Sequence, residues 1–505
     1  MKRYIVLAAL CLVLAVSIPV VGSAAINRTE AQVEQAVTIS WGDASALEGL
    51  TVKTAITYDQ KLLWETTRDV AAGESKTDFS FHTVDVPMIQ SDTVDGRAYR
   101  LYFRLCDNKE KDDPICRILE KLDDGSGAYY DISLQDYYDT YPLYLGDFFY
   151  AGDELNDVLV TTESDWSGTA KAFTPLQIPV EAEDELEVYF RQETANSYSR
   201  FVSASYIRLA HRYRPLSQPY DGGILVSAGF APDAEPKTEW APDGFGIWMV
   251  PIEDERYKND IGLDMVKKVI RTDRTRVVYP LDIETQSVLA LQWSGDGNSL
   301  LLVTAENGEA VLRVLDGTTY QVQSTISLGA IEATAEEYVL YLDSGERTVS
   351  RTDYEEVQIH TEADFTAIAV GKHLTVLVPD SKGYQVDFSC DIMPLYTVHE
   401  GEERVFFWED DEAAAQKYSR IDNCYSPVYG TYCNTFDRIP MIYRDHKLAM
   451  AWYAYDYDYS AHLHVYGPEG VIYAERTESS LQQQDISLSH DFRLPNDLPE
   501  LDWAA

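Results

Sequence analysis

Basic residues are scarce in this sequence. Lys and Arg number 41 against 84 Asp and Glu, a formal net charge of −43. Such a field repels nucleic acid and anionic lipid, so neither is expected as a partner. It favours solubility, cationic partners or divalent ions. Cysteine is sparse as well, 6 in 505 residues, and no C-x-x-C pair is present, which argues against a structural zinc site. A G-x-S-x-G nucleophile elbow, a P-loop, an H-E-x-x-H pair and a complete EF-hand loop are all missing. Helical patterns are few. The run 409–421, EDDEAAAQKYSRI, is one, with acids in its first turn to complement the helix dipole.

The N-terminus carries the most definite signal. Lys2 and Arg3 precede an apolar run from Tyr4 to Val16, then Pro19 and the small residues Ser23-Ala24-Ala25. That order is a secretory signal peptide over 1–25. The uncharged stretch is also long enough, at about 20 residues for a bilayer, to stay as an anchor; Pro19 and the small-residue site favour cleavage. Either way the rest of the chain is expected outside the cytoplasm, secreted or at the cell surface. Membrane contact is expected only through an uncleaved segment. In an oxidising compartment the short turn-rich loops Cys106–Cys116 and Cys424–Cys433 predict two local disulfides, leaving Cys390 as a buried thiol.

The body reads as β throughout. Runs at 35–41, 51–58, 61–67, 97–105, 186–191 and 199–209 alternate or carry β-branched and aromatic residues, with turn residues between them. The segment 213–223, YRPLSQPYDGG, interrupts this pattern with two prolines and a Gly pair, and predicts a seam. The expected organisation is therefore 1–25 signal peptide, 26–215 N-terminal β-rich domain, 216–490 second β domain and 491–505 tail.

Residues 288–328 divide at their turns into a strand ending at Trp293, a Ser294-Gly-Asp-Gly turn and a strand Leu300–Thr304. An Asn307-Gly308 hairpin, a strand Ala310–Leu315 and a last strand from Tyr320 follow. This unit resembles the WD40-like and PD40-type β-propeller blades, whose usual turn is W-S-P-D-G. Trp240-Ala241-Pro242-Asp243-Gly244 echoes it. The stretches 329–360, 364–398 and 443–476 match in length and strand spacing. The resemblance implies an all-β fold, an N-terminal β domain followed by a β-propeller-like domain of open blade number, and specifies no activity. In general character the chain also resembles uncharacterised exported bacterial proteins.

Candidate sites are weaker. His462 and His464 are two apart, so on a strand both imidazoles face one side and could meet one metal ion. In the alternation Tyr453-Tyr455-Tyr457-Tyr459 the phenols share a face, as a stacking platform for a ligand or as a cross-strand ladder. The run 128–157 is crowded with aromatics and acids: Tyr137, Tyr138 and Tyr141 could bind a glycan, and Asp131, Asp136 and Asp139 could bind calcium, although the alternating oxygens around a Gly turn are lacking. No other cofactor is expected.

Together these features point to an exported, non-catalytic binding or sensing module at the bacterial cell exterior, for a peptide, glycan or cationic protein partner. The alternatives are a carbohydrate-active or other hydrolytic propeller enzyme, which requires converging acids, and an envelope assembly scaffold, which requires a large exposed apolar patch.

Overall fold

The computed structural model describes residues 33–58, 62–81, 97–103, 127–136, 138–141, 143–151, 154–159, 175–182, 184–191, 200–208, 213–258, 262, 264–342, 345–380, 383–392, 396–399, 402–405, 436, 439–454, 460–481, 492–493 and 499–504. Residues 1–25, the helical run 409–421 and the four loop cysteines lie outside them. The regular structure described is strand, with short 3₁₀ turns. The chain forms two compact units, each discontinuous in sequence: Met1–Pro87, Asp364–Val378 and Val386–Ala505 in one, Met88–Ala363 and Pro379–Gln385 in the other.

In the first unit one sheet runs in the order Val33–Gly42, Gly470–Leu481, Ser460–Gly467, Lys447–Ala454, Met441–Arg444. The N-terminal strand thus lies antiparallel on a C-terminal one, Val33 opposite Leu481 and Gly42 opposite Tyr473. A second sheet contains Leu50–Tyr58, Leu62–Asp69 and Ser75–Phe81. Its outer partners come from the other end of the chain. Phe492–Arg493 and Glu500–Trp503 both pair with Leu50–Tyr58, Trp503 opposite Leu50. Each end of the chain therefore completes a sheet begun by the other. Within the expected tail 491–505, the described strands Phe492–Arg493 and Glu500–Trp503 are paired in this sheet, and Leu501 and Trp503 bury apolar surface in the core beside it.

The first sheet is buried on both faces, which is why LAMAWYA reads as an unbroken apolar run instead of an alternation. Ala449, Ala451, Leu463 and Val465 point towards Leu47, Leu50, Val52 and Trp503. Met450, Trp452 and Tyr466 point the other way, into a core with Phe365, Ala367, Leu374, Val376 and Phe388. Phe365 immediately precedes Thr366–Val370, and the others belong to Thr366–Val370, His373–Asp380 and Gly383–Asp391, consecutive strands of a third sheet.

In the second unit the blade read at 288–328 is present as a four-stranded antiparallel meander, Gln286–Trp293, Ser299–Glu306, Glu309–Asp316, Val322–Ala330. Asn307 and Gly308 take φ 50° and 81°, the left-handed pair that a two-residue hairpin requires. Packed on it is the sheet Tyr213–Tyr220, Gly223–Phe230, Gly246–Lys258, Asp264–Ile270, with Arg276–Pro280 on the first half of its long strand. The 213–223 segment is therefore not a seam but an edge strand and its turn. Pro215 and Pro219 face Ala228 and Ile224 across the hairpin; at a sheet edge a missing N–H costs no ladder bond. The expected boundary at 215/216 falls inside this hairpin. Shorter sheets complete the unit: Arg200–Arg208, Glu185–Arg191 and Gly127–Ser133; Arg97–Phe103, Leu143–Ala151 and Glu154–Leu159; and the hairpin Ala333–Leu342/Gly345–Tyr354. The fold is all-β, built from propeller-like antiparallel blades.

If the C-terminal strand holds the first unit closed, Trp503→Ala lowers stability by about 3 kcal/mol, since a buried indole is lost with its surroundings only partly relaxed. Urea unfolding followed by fluorescence measures it; an unchanged midpoint contradicts the closure.

Candidate functional site

Most residues singled out from the sequence are interior. Tyr141 is buried, lies 6.3 Å from the Tyr213 ring and donates its hydroxyl to Asp184, itself fully buried. Burial and the Asp184 carboxylate push its phenol well above the usual range. Asp184 also accepts the Glu181 N–H at 2.8 Å, so the pair fixes the 175–184 segment. Tyr141 is a core strut and presents no ring to a glycan. Tyr138 is partly buried against the same core, and Tyr137 lies outside the described residues. Asp139 is exposed, and its carbonyl accepts the Val180 N–H at 3.1 Å.

Tyr453 is likewise buried, and its phenol oxygen accepts the Ala55 N–H at 2.8 Å, tying the first sheet to the second. Tyr455 and Tyr457 are outside the described residues. His462 and His464 do share one face of Ser460–Gly467, as their spacing requires, but that face is enclosed around Trp452. His462 stacks on the indole at 5.3 Å, and His464 meets it edge-on at 4.6 Å with Nδ1 2.9 Å from the Tyr466 hydroxyl. Among the described residues no three His, Cys, Asp or Glu side chains gather to hold a metal ion. Burial lowers both imidazoles, His464 to about 3, so they are neutral packing groups. Cys390 is buried and unpaired, its thiol pushed up to about 12 by desolvation.

Several polar groups in the first unit are paired across its sheets, although Trp452 Nε1 and Thr366 Oγ1 are buried without a hydrogen-bond partner among the described residues. Glu475, buried, accepts from Arg68 and from the Tyr473 hydroxyl, both at 2.6 Å. Asp387 accepts the Tyr443 hydroxyl at 2.9 Å and lies 2.6 Å from His446 Nδ1. His446 and Asp445 form a two-residue turn at φ 62° and 48°, a conformation that favours glycine and is held here by the Asp387 contact. His446 is 70% exposed, with Nε2 left unpaired among the described residues.

The second unit contains a different arrangement, at the rim of the core between the 213–280 sheet and the 286–330 blade. Strand register sets Gln218, Leu225, Met249 and Arg276 in one row on the face that meets the blade. Tyr220 belongs to the same face, and its hydroxyl lies over Gly223: a Cβ there would sit 2.8 Å from the Tyr220 hydroxyl and 2.2 Å from the Val250 carbonyl. The blade contributes Tyr320, 8% exposed, in the left-handed region at φ 57°. A bulky residue there costs on the order of 1 kcal/mol. The Asp316 carboxylate holds the turn in place by accepting the Thr318 and Thr319 N–H groups at 3.1 and 2.7 Å. Trp293 Nε1 donates to the Pro219 carbonyl at 2.6 Å and Gln218 to Gln292 at 3.1 Å, so the two sheets are fixed at this corner. Burial pushes the Tyr220 and Tyr320 phenols up, and the Arg276 charge pulls both the other way. Among the described residues nothing hydrogen-bonds either phenol oxygen or the Arg276 guanidinium. Sequence reading passed over these residues. The available signal was the run 264–276, where Lys267, Lys268, Arg271, Arg274 and Arg276 interrupt an acidic chain.

No family model and no curated protein matches the chain. Solved structures with some likeness include the Swd1 β-propeller domain of Myceliophteria thermophila, 8% identical over 69% of this chain and 88% of that one, TM-score 0.19. TolB from Acinetobacter baumannii is 11% identical over 89% and 82%, TM-score 0.15. The periplasmic gluconolactonase PpgL of Pseudomonas aeruginosa is 12% identical over 68% and 95%, TM-score 0.16. Likeness at these scores carries no argument about the chemistry of this chain.

The buried histidines make stability depend on pH. Their folded-state values lie below the ordinary 6.5, so the folded state binds fewer protons; stability is full above pH 6.5 and is lost as pH falls towards about 3. From His464 alone the loss between pH 7 and pH 5 is about 2 kcal/mol. Urea midpoints at the two pH values measure it, and His464→Gln should remove that share of the slope. Separately, Arg68→Met strands Glu475 and costs about 3 kcal/mol or more, whereas Arg68→Met with Glu475→Leu recovers most of the loss. Chemical unfolding of the single and double variants checks this.

Proposed function

We propose that this is an exported, non-catalytic binding module at the bacterial cell exterior, its ligand held at the Tyr220–Arg276–Tyr320 corner. The observation that carries this reading is the placement of an exposed arginine and two phenols on the face where the sheet meets the blade. Arg68, Arg271, Arg274 and Arg313 are each paired with a carboxylate. Arg276 and two neighbouring phenols have no described partner, and one phenol sits on a strained backbone. Arg276 is exposed, and donors that rigid sheets hold without an internal partner suit recognition of an outside group. Export is supported by the signal-peptide character of residues 1–25.

A second reading, hydrolysis, is favoured by His446, whose Nδ1 is held by Asp387 while Nε2 faces outward, the geometry of an oriented general base. A screen of the exported protein against glycan and peptide arrays, run beside a panel of ester and glycoside substrates, separates the two. Saturable binding without turnover supports the binding module. Turnover abolished by His446→Ala would replace it with the enzyme reading.

A further inference from the structure

Given that reading, the nature of the donors narrows the ligand. The groups offered at the corner are one guanidinium, two phenol hydroxyls and the thioether of Met249 on the same face. A guanidinium presents parallel N–H groups that match a carboxylate two-for-two. Phenol hydroxyls donate to neutral oxygens or share in binding an anion, and a phenol ring with a methionine beside it offers an apolar wall against which a sugar ring can lie.

The charge of the rest of the protein sets a limit on the anion. At −43 the chain repels extended polyanions, so nucleic acid, polyphosphate and other densely charged polymers are disfavoured at any distance beyond contact. A ligand with isolated carboxylates among neutral hydroxyls meets far less of that repulsion and can still form a short-range bond to Arg276. The local field helps: Glu253 is engaged by both Arg271, at 2.8 Å, and Arg274, which leaves Arg276 uncompensated in this stretch.

Pre-organisation supports a built site. Arg276 lies two residues after the end of the 3₁₀ turn Thr272–Arg274, whose Arg274 N–H donates to the Arg271 carbonyl at 3.1 Å and whose neighbour Thr275 donates its hydroxyl to the same oxygen at 3.2 Å. Gly223 leaves room for the Tyr220 hydroxyl, and the Asp316 turn imposes the Tyr320 backbone. Three separate devices thus order the segments that carry Arg276, Tyr220 and Tyr320 around one corner.

We infer that this corner binds the carboxylate of a uronic-acid residue in an acidic glycan. Arg276 takes the carboxylate, Tyr320 and Tyr220 donate to it or to the adjoining hydroxyls, and Met249 and the Tyr220 ring line the sugar face. This rests on the binding-module reading above.

The test is calorimetric titration of the exported protein with a galacturonate trisaccharide, its carboxyl-reduced neutral counterpart, and a tripeptide with a free C-terminal carboxylate. The expected result is saturable uronate binding and none by the neutral sugar. Arg276→Gln should weaken binding about tenfold or more, Arg276→Lys nearly as much because the fork is lost, and Tyr320→Phe severalfold. Arg256→Gln, an exposed arginine on the neighbouring hairpin, should bind as the parent does, and thermal melts should show all four variants folded. Uronate binding unaffected by Arg276→Gln overturns the site while leaving a binding module standing. Equal binding of the neutral sugar, or preference for the peptide, overturns the uronate assignment. Failure of all three ligands overturns the uronate proposal as well; a hit elsewhere on the glycan and peptide arrays then keeps the broader reading, and no hit on them removes both.

Discussion

The exchange of strands between the two ends of the chain is the constraint on which the first unit depends. Val33–Gly42 lies on Gly470–Leu481, and Glu500–Trp503 lies on the start of Leu50–Tyr58. These pairings connect residues more than four hundred positions apart, as in the Trp503 bond to the Glu48 carbonyl. Closing such a loop is costly in chain entropy, but the cost grows only slowly with length, and paired strands with a shared apolar core can offset it. Once both ends are paired, neither sheet presents those edges to other chains.

That closure explains the way polar side chains are distributed inside the unit. With the first sheet covered on both faces, polar groups pointing off it are driven to find partners across the sheet interface, the Trp452 N–H being an exception. Glu475 finds Arg68 and Tyr473; Tyr453 finds the Ala55 N–H; Asp387 finds Tyr443 and His446. The histidines that the sequence marks as a metal pair are instead used as flat apolar-sided groups around Trp452. Their chemistry is consumed by packing; in the second unit Arg276 is exposed, and its guanidinium and the Tyr220 and Tyr320 hydroxyls have no hydrogen-bond partner among the described residues.

Local features were legible from the sequence. The strands at 35–41 and 51–58 lie within observed ones, and the blade at 288–328 has its turn at Asn307-Gly308, because alternation and turn chemistry act within a few residues. Pairing of distant segments left no local mark: ELDW is too short to announce a strand, so the C-terminus read as a tail. Pro215 and Pro219 misled for a physical reason, since proline breaks a central strand but is tolerated at an edge, and edge position is a property of the fold. Tyr141 misled because a phenol with a buried acid partner and a phenol at a surface look the same in sequence. Arg276 was overlooked because its row-mates Gln218, Leu225 and Met249 come from three other strands.

Native-state hydrogen exchange tests the closure most directly. If the two ends clasp one another, amides within 34–41 and 500–503 exchange with the same free energy as those of 472–480 and lose protection together as urea is added. Exchange of 500–503 at the rate of an unstructured peptide, while 472–480 stay protected, would contradict it.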